Sequence, residues 1–344
     1  MMAAGGAALL AAIFVTPLLI EWQRRRHIGQ HIREDGPLTH QAKAGTPTMG
    51  GVGVVVSVIF GYFIAHFGPS VKFARTGELV IIAVFMFAAI GFVDDWIKVS
   101  RRRSLGLAIK GKLLAQVIAG VIFSELAVHW AHVPTVLSFT RAQNPGLALG
   151  EAGWVVLATL VLVATSNSVN FADGLDGLAA GSSTFGFAVL AIIGYWIFRH
   201  LSIFGILPAG ALDLALSSVA LAGGCLGFLW WNAAPARIIM GDTGSLGIGA
   251  GLAATCLLLN LDLLLPVIGG LFVIESLSVI TQVVSFRVFG RRVLRMAPIH
   301  HHCELLGWPE TTVIVRFWML AGLFAALGLG IFYGEFLAMS AHTP

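Results

Sequence analysis

Ten apolar stretches, each close to the length of a membrane span, recur along this chain and constrain its fold more than any other feature. They run near Ala3–Ile20, Gly51–Phe67, Leu79–Val93, Leu113–Val128, Trp154–Val169, Leu178–Phe198, Leu214–Trp231, Leu246–Leu261, Leu263–Phe286 and Phe317–Phe336. A bilayer core of about 30 Å takes roughly 20 apolar residues per helix, and fewer where the helix packs inside a bundle. Only Asn260 and Asp262 separate the eighth stretch from the ninth, so the count is thinnest there. Charged residues make up 11% of the chain and hydrophobic residues 57%, where a soluble domain carries roughly 25% charged residues. So little charge cannot coat a water-facing surface. That excludes a soluble multidomain protein, a disordered chain, a disulfide scaffold and a nucleic-acid binder. The expected fold is an all-α polytopic integral membrane protein of about ten transmembrane helices, forming one domain over residues 1–344.

Orientation follows from the basic residues. The first stretch reads as a span and not as a leader, because no basic residue precedes it while Arg24, Arg25 and Arg26 follow it. With ten spans, alternate connections share one side, and 17 of the 21 Lys and Arg residues fall in the odd ones. Those connections are therefore expected to be cytoplasmic, with both termini outside. The formal net charge of +4 is loop asymmetry and not a nucleic-acid groove. Cys225, Cys256 and Cys303 form no CxxC pair and point to neither zinc nor a disulfide.

Unusual polar residues gather in the same five connections, at about 23–50, 94–112, 167–177, 232–245 and 287–316. Lys43-Ala-Gly-Thr-Pro-Thr-Met-Gly-Gly51 offers hydroxyls and free N–H groups to an anion, though taken alone it reads first as an ordinary turn and cap. Asp94-Asp95 lies at the end of the third stretch. An ion pair with Lys98, four residues on, accounts for one carboxylate and leaves the other over. Asn167, Asn170, Asp173 and Asp176 recur at spacing three with no basic residue among them. Helix capping needs one such residue per end, and four suit Mg²⁺ or the polar edges of a nucleotide. In Asn232 to Ser245, Thr243 or Ser245 reads as an N-cap, while Asp242 beside free helix N–H groups reads as a divalent-ion ligand near phosphate. His300-His301-His302 is poorly spaced for one zinc ion, but suits phosphate or ribose contacts. Glu125 and Glu275, inside spans, fit either a proton path or a hydrogen bond within the bundle, and His66 and His129 are expected at membrane interfaces.

From about Ile32 to Trp308 these motifs, in this order, resemble the polyprenyl-phosphate hexose-1-phosphate transferases. Within them, His300-His301-His302 followed by Glu304-Leu305 and Gly307-Trp308 resembles the phospho-N-acetylmuramoyl-pentapeptide transferase subfamily. The resemblance implies transfer of phospho-N-acetylmuramoyl-pentapeptide from its UDP-linked precursor to undecaprenyl phosphate, giving lipid I and UMP. It also implies Mg²⁺, the cytoplasmic face of the bacterial plasma membrane, and a homodimer. By position, Asp242 would be the metal ligand and Asp94 and Asp95 would lie at the lipid-phosphate side, with His301 also catalytic. Asn167, Asn170, Asp173, Asp176 and Asn232 would line the nucleoside and diphosphate pocket, with Lys43 and Thr48 nearby. Lys98, Lys110, His300 and His302 would balance phosphate charge.

Three positions depart from that pattern. Cys303 stands where the family usually has Phe, Trp96 where Tyr is more usual, and Ile239 where an aromatic ring often stacks on uracil. Stacking on a base is worth roughly 1–3 kcal/mol. Two rival readings stand beside the main one. Transfer of N-acetylglucosamine 1-phosphate is opposed by the triple histidine. A secondary transporter is opposed by acids that cluster at one face of the membrane, with no internal repeat.

Overall fold

The computed structural model describes residues 1–26, 29, 45–67, 71–101, 103, 105–204 and 210–340. Each of the ten apolar stretches falls on helix, in the order α1 (Met2–Arg25), α2 (Gly51–Ala65), α3 (Arg75–Ser100) and α4 (Ile109–His129), then α5 (Gly150–Ala172) and α6 (Leu178–Arg199). After the short α7 (Leu201–Phe204) come α8 (Ala211–Asn232), α9 (Gly241–Leu258), α10 (Leu265–Ile268), α11 (Gly270–Phe289), α12 (Ile299–Leu305) and α13 (Glu310–Ser340). Among the described residues, eight helices are long and apolar enough to cross a membrane: α1, α3, α4, α5, α6, α8, α11 and α13. The chain is thus mostly helical and multi-pass.

Two of the other helices, α2 and α9, show why a count from hydropathy is hard. α2 has only 15 residues. α9 has 18 but spends its first turn on Asp242, Thr243 and Ser245, and every residue from Thr243 to Leu258 is buried. A helix wrapped wholly by other helices is not obliged to be apolar all round. Close approach is what brings α9 into the bundle. A Cβ on Gly91 of α3 would overlap the carbonyl of Asp242, and one on Gly51 of α2 would overlap the backbone of Gly244. Small residues at helix crossings let backbones approach in this way. On the outside, Phe14, Leu18, Val156, Leu160, Met319 and Leu323 are exposed apolar side chains of the kind that lipid solvates.

Several expectations change. The ninth stretch is not one helix: it breaks into α10 and α11 at Gly269-Gly270, two poor helix formers in succession. The connection between α4 and α5 carries an antiparallel hairpin, β1 (Val136–Arg141) with β2 (Asn144–Ala148), pairing Val136 with Ala148 and Arg141 with Asn144. His66 is buried with its Nε2 2.9 Å from Asp213, whose other oxygen accepts the Tyr62 hydroxyl at 2.8 Å. It is a buried histidine at the C-terminal end of α2. Glu125 is half exposed and pairs with His129 at 3.1 Å along one face of α4.

Candidate active site

α3 ends and α9 begins at the same point, which sets three carboxylates side by side. Asp94 and Asp95 occupy the last turns of α3, and Asp242 the first turn of α9. Each can direct one oxygen so that the three lie within 4.8 Å of one another. Gly241 immediately before Asp242 has φ of +74°, a conformation that suits glycine and turns the chain into the helix. Asp95 caps that helix from outside. It accepts the Asp242 N–H at 3.2 Å, the Thr243 N–H at 2.9 Å and the Thr243 hydroxyl at 2.7 Å. A carboxylate at a helix N-terminus satisfies free N–H groups and meets the positive end of the helix dipole.

Two lysines offset part of this negative charge. Lys98 Nζ lies 2.6 Å from Asp94, 3.5 Å from Asp95 and 3.0 Å from Asp242. Lys112, on the first turn of α4, lies 2.5 Å from Asp242. The Leu107 N–H donates to Asp94 at 2.8 Å, and Asn170 at the end of α5 donates to Asp242 at 2.8 Å and to Ser245 Oγ at 2.8 Å. Three carboxylates against two ammonium groups leave a net negative, oxygen-rich site. Such a donor set fits a hard divalent ion such as Mg²⁺, which takes one or two carboxylates and keeps room for phosphate oxygens.

The other candidates sort into structural and site-facing groups. Asn167 donates to Gln116 of α4 at 2.8 Å and to the Val163 carbonyl at 2.7 Å, which ties α5 to α4. Asp176 accepts the Ala236 N–H at 2.9 Å, and Asn232 accepts the Gly177 N–H at 3.0 Å while donating to the Ile238 carbonyl at 2.9 Å. These two tie the 173–177 turn to the loop ahead of α9. Asp173, beside them, carries a carboxyl held well above the usual range by desolvation and by the Asp242, Asp95 and Asp176 charges. Thr48 uses its backbone: the Gln23 amide of α1 accepts its N–H at 2.9 Å and donates to its carbonyl at 2.6 Å. Pro47 and Gly50 then pair with both sides of the Ile239 backbone at 2.8 and 2.9 Å, joining the first and fourth connections. Lys43 lies outside the described residues.

The histidines reach the same region from α12. His300 and His301 hold carboxylates through Nδ1, His300 with Glu275 at 3.1 Å and His301 with Glu304 at 2.7 Å. His302 instead accepts the Arg295 backbone N–H at 3.1 Å. Cys303, in the position of the family's Phe, fills a small apolar core under this helix with Leu175, Leu178, Leu271 and Val313.

Lys110 is exposed and makes no contact with the three aspartates among the described residues, while Lys112, two positions on, lies against Asp242. Both stand in one short basic cluster, and successive helical residues turn by about 100°, so helical phase decides which one faces inward. Gln23, Gln116, Glu275 and Glu304 also went unassigned to the site by sequence. For the first three the signal was a polar side chain within or beside an apolar stretch, and for Glu304 its place in the histidine motif.

Residues 78–260, somewhat more than half of the chain, match the family profile described as glycosyl transferase family 4. The phospho-N-acetylmuramoyl-pentapeptide-transferase of Frankia alni is 46% identical over 341 residues, covering 96% of both chains. That of Frankia casuarinae is likewise 46% identical over 341 residues, with 96% of both chains covered. The protein of the same name from Thermobifida fusca is 44% identical over 346 residues, covering 97% of this chain and 98% of its own. With three gathered aspartates, two lysines and paired histidines at the end of a helical membrane bundle, and with relatives of this identity over nearly full length, the chain belongs to the phospho-N-acetylmuramoyl-pentapeptide-transferases of glycosyl transferase family 4.

Proposed function

We propose that the chain transfers phospho-N-acetylmuramoyl-pentapeptide from its UDP-linked precursor to undecaprenyl phosphate, releasing UMP and forming lipid I for peptidoglycan synthesis. The observation that carries this reading is the meeting of Asp94, Asp95 and Asp242 with Lys98 and Lys112 at one end of the bundle. A reaction between a membrane lipid and a water-soluble nucleotide sugar needs its charged groups at the membrane boundary. The motif-bearing ends of α3, α4, α5 and α9 supply them there.

In this reading Asp242, with Asp94 or Asp95 beside it, would hold Mg²⁺, which would lower the repulsion between phosphate groups. Lys98 and Lys112 fix the Asp242 carboxylate and offer ammonium charge to the diphosphate. A phosphate monoester has a second pKa of about 6, so the lipid phosphate is mostly a dianion at neutral pH and can attack directly. One of its oxygens forms a bond to the phosphorus that carries the sugar. The bond to the bridging oxygen breaks, and UMP leaves with that electron pair. The hydrogen bonds to the aspartates favour this over an aspartyl-phosphate route, because both oxygens of Asp95 are held by the start of α9 and Asp94 is held by Leu107 and Lys98.

The same reading places ten spans across the bacterial plasma membrane, both termini outside, the active site facing the cytoplasm, and a homodimer as the assembled form. The concentration of Lys and Arg in the odd connections supports the orientation. The test is UMP release by purified protein in detergent with undecaprenyl phosphate and Mg²⁺. Turnover with UDP-N-acetylmuramoyl-pentapeptide and not with UDP-N-acetylglucosamine is expected, and the reverse preference would overturn the assignment.

A further inference from the structure

One side of α11 carries a narrow polar stripe. Glu275, Ser278, Gln282 and Ser285 stand at intervals of three, four and three residues, which keeps them within a sector of about 80° on a helix turning 100° per residue. All four bind the segment that ends in the histidines. Ser285 donates to the Arg291 carbonyl at 2.9 Å. Gln282 accepts the N–H groups of Val293 and Leu294 at 3.1 and 2.9 Å and donates to the Leu294 carbonyl at 3.0 Å. Ser278 accepts the Ile299 N–H at 3.0 Å, where α12 begins. Glu275 takes the last place in this series and binds a side chain, the Nδ1 of His300.

The Glu275–His300 pair is wholly buried on both sides, at 0% exposure each. Burying a carboxylate and an imidazole inside an apolar helix pair is unfavourable unless each satisfies the other. An unmatched pair could be replaced by packed hydrophobes, so its presence calls for a use. His300 shows one. Its Nε2 is buried and has no hydrogen-bond partner among the described residues. It faces the turn after Asp173, where a Cβ on Gly174 would overlap Nε2 of His300 and lie 3.2 Å from Nε2 of His301. Glycine at 174 therefore admits the imidazole to the turn that the Asp173 carboxyl shares.

We propose that Glu275 is a positioning residue which acts through His300, fixing the ring's tautomer and the nitrogen it presents to the nucleoside-diphosphate-linked substrate. With the Nδ1 proton held by the Glu275 carboxylate, Nε2 is the nitrogen left to face the substrate. It accepts a hydrogen bond when the ring is neutral and donates one when the ring gains a second proton. An imidazole's free nitrogen is set by the hydrogen bond its other nitrogen makes. This inference rests on the transferase reading above, and it adds a role for Glu275, for which the sequence alone offers a proton path or a hydrogen bond within the bundle.

The test uses the full-length protein in detergent and the near-isosteric Glu275→Gln, whose amide can donate as well as accept and so releases the tautomer. By analogy with outer partners that orient a metal-bound imidazole, kcat/KM for the UDP-linked substrate should fall about 10–100-fold, with KM for the lipid phosphate nearly unchanged. In a His300→Gln background the same change should cost less than about threefold, since partners acting as one unit are not additive. Equal losses in both backgrounds would reduce Glu275 to a packing residue and overturn the proposal, as would full activity of Glu275→Gln. A second readout needs no turnover. In protein carrying ¹⁵N-histidine, the His300 signals should report a proton on Nδ1, and Glu275→Gln should shift or split them. If His300→Gln is inactive, that spectrum decides, and unchanged His300 signals overturn the proposal. Failure of the parent protein to use the UDP-linked substrate would instead count against the transferase reading.

Discussion

Asp95 accepts both the backbone N–H and the side-chain hydroxyl of Thr243, at 2.9 and 2.7 Å, so one carboxylate of α3 anchors the first turn of α9. The residue after Asp242 is thereby held in place, and Asp242 with it. This gives the aspartate pair a division of labour that adjacent sequence positions do not reveal. Asp95 holds the helix that carries Asp242, while Asp94 is turned toward Lys98 and the Leu107 N–H.

Thr243→Val, which removes the hydroxyl and keeps the N–H, should lower the unfolding free energy by about 1 kcal/mol, the net worth of one hydrogen bond. Turnover should survive at a reduced rate. Asp95→Ala should remove all three bonds, and the loss of activity should exceed that of Thr243→Val by at least about tenfold. Thermal unfolding and UMP release measured on the same preparations check this, and equal effects of the two variants would contradict the anchoring role.

Lys112 and Lys110 offer a test of helical phase. Lys112→Met removes an ammonium 2.5 Å from Asp242 and is expected to lower kcat by about 10²–10³, the usual effect of deleting a preorganised charge-stabilising donor. Lys110→Met should stay within about threefold, because an exposed charge contributes little. A steady-state rate for each variant decides between them.

Asp242→Asn should abolish turnover. It should also weaken binding of Mn²⁺, used as a spectroscopic stand-in for Mg²⁺, since carboxylate charge count sets divalent-ion affinity at oxygen sites. Electron paramagnetic resonance of free Mn²⁺ gives the affinity without any reaction. Parent-like affinity in the variant would remove Asp242 from the metal site.

Asp262, in the turn between α9 and α10, accepts the Ser138 N–H at 3.0 Å and its hydroxyl at 2.6 Å, and so clamps the β-hairpin to the bundle. Burial raises its pKa to about 6, against the lowering effect of the two Ser138 bonds. The folded value is thus above the unfolded one, and between pH of about 4 and 6 the folded chain binds the extra proton. Its contribution to stability is complete below that window and is lost as pH rises through it. Relative to Asp262→Asn, the parent should therefore lose stability from about pH 4 to 6, by at most about 3 kcal/mol at 1.4 kcal/mol per unit. Parallel melting curves of the two proteins across that range would deny the shift.

Much of the site was legible because its chemistry needs residue types that are rare in a membrane helix. Asp94, Asp95, Asp173 and Asp242 announce themselves by charge alone, and the histidine triplet by being three in a row. Their division of labour was not legible. Asn167, Asp176 and Asn232 belong to the expected constellation, and their described hydrogen bonds include ones to Gln116, Val163, Ala236, Glu310, Gly177 and Ile238, which hold the helix ends in register. Polar type identifies a residue that needs a partner, and only the fold says whether that partner is protein or substrate.

By itself the sequence determined the class of solvent and the number of apolar segments, because hydration of charge and the length of a span are properties of composition and local order. It also determined which polar residues had to be accounted for. The tertiary structure decided the rest: that α9 carries its carboxylate inside a shell of other helices, that Lys112 and not Lys110 turns inward, and that Glu275 meets His300. Each of those depends on helical phase and on contacts between residues far apart in the chain, 130 positions for Lys112 and Asp242 and 25 for Glu275 and His300. Such contacts form only when close-packed backbones bring particular faces together, and no local pattern of residues encodes that alone.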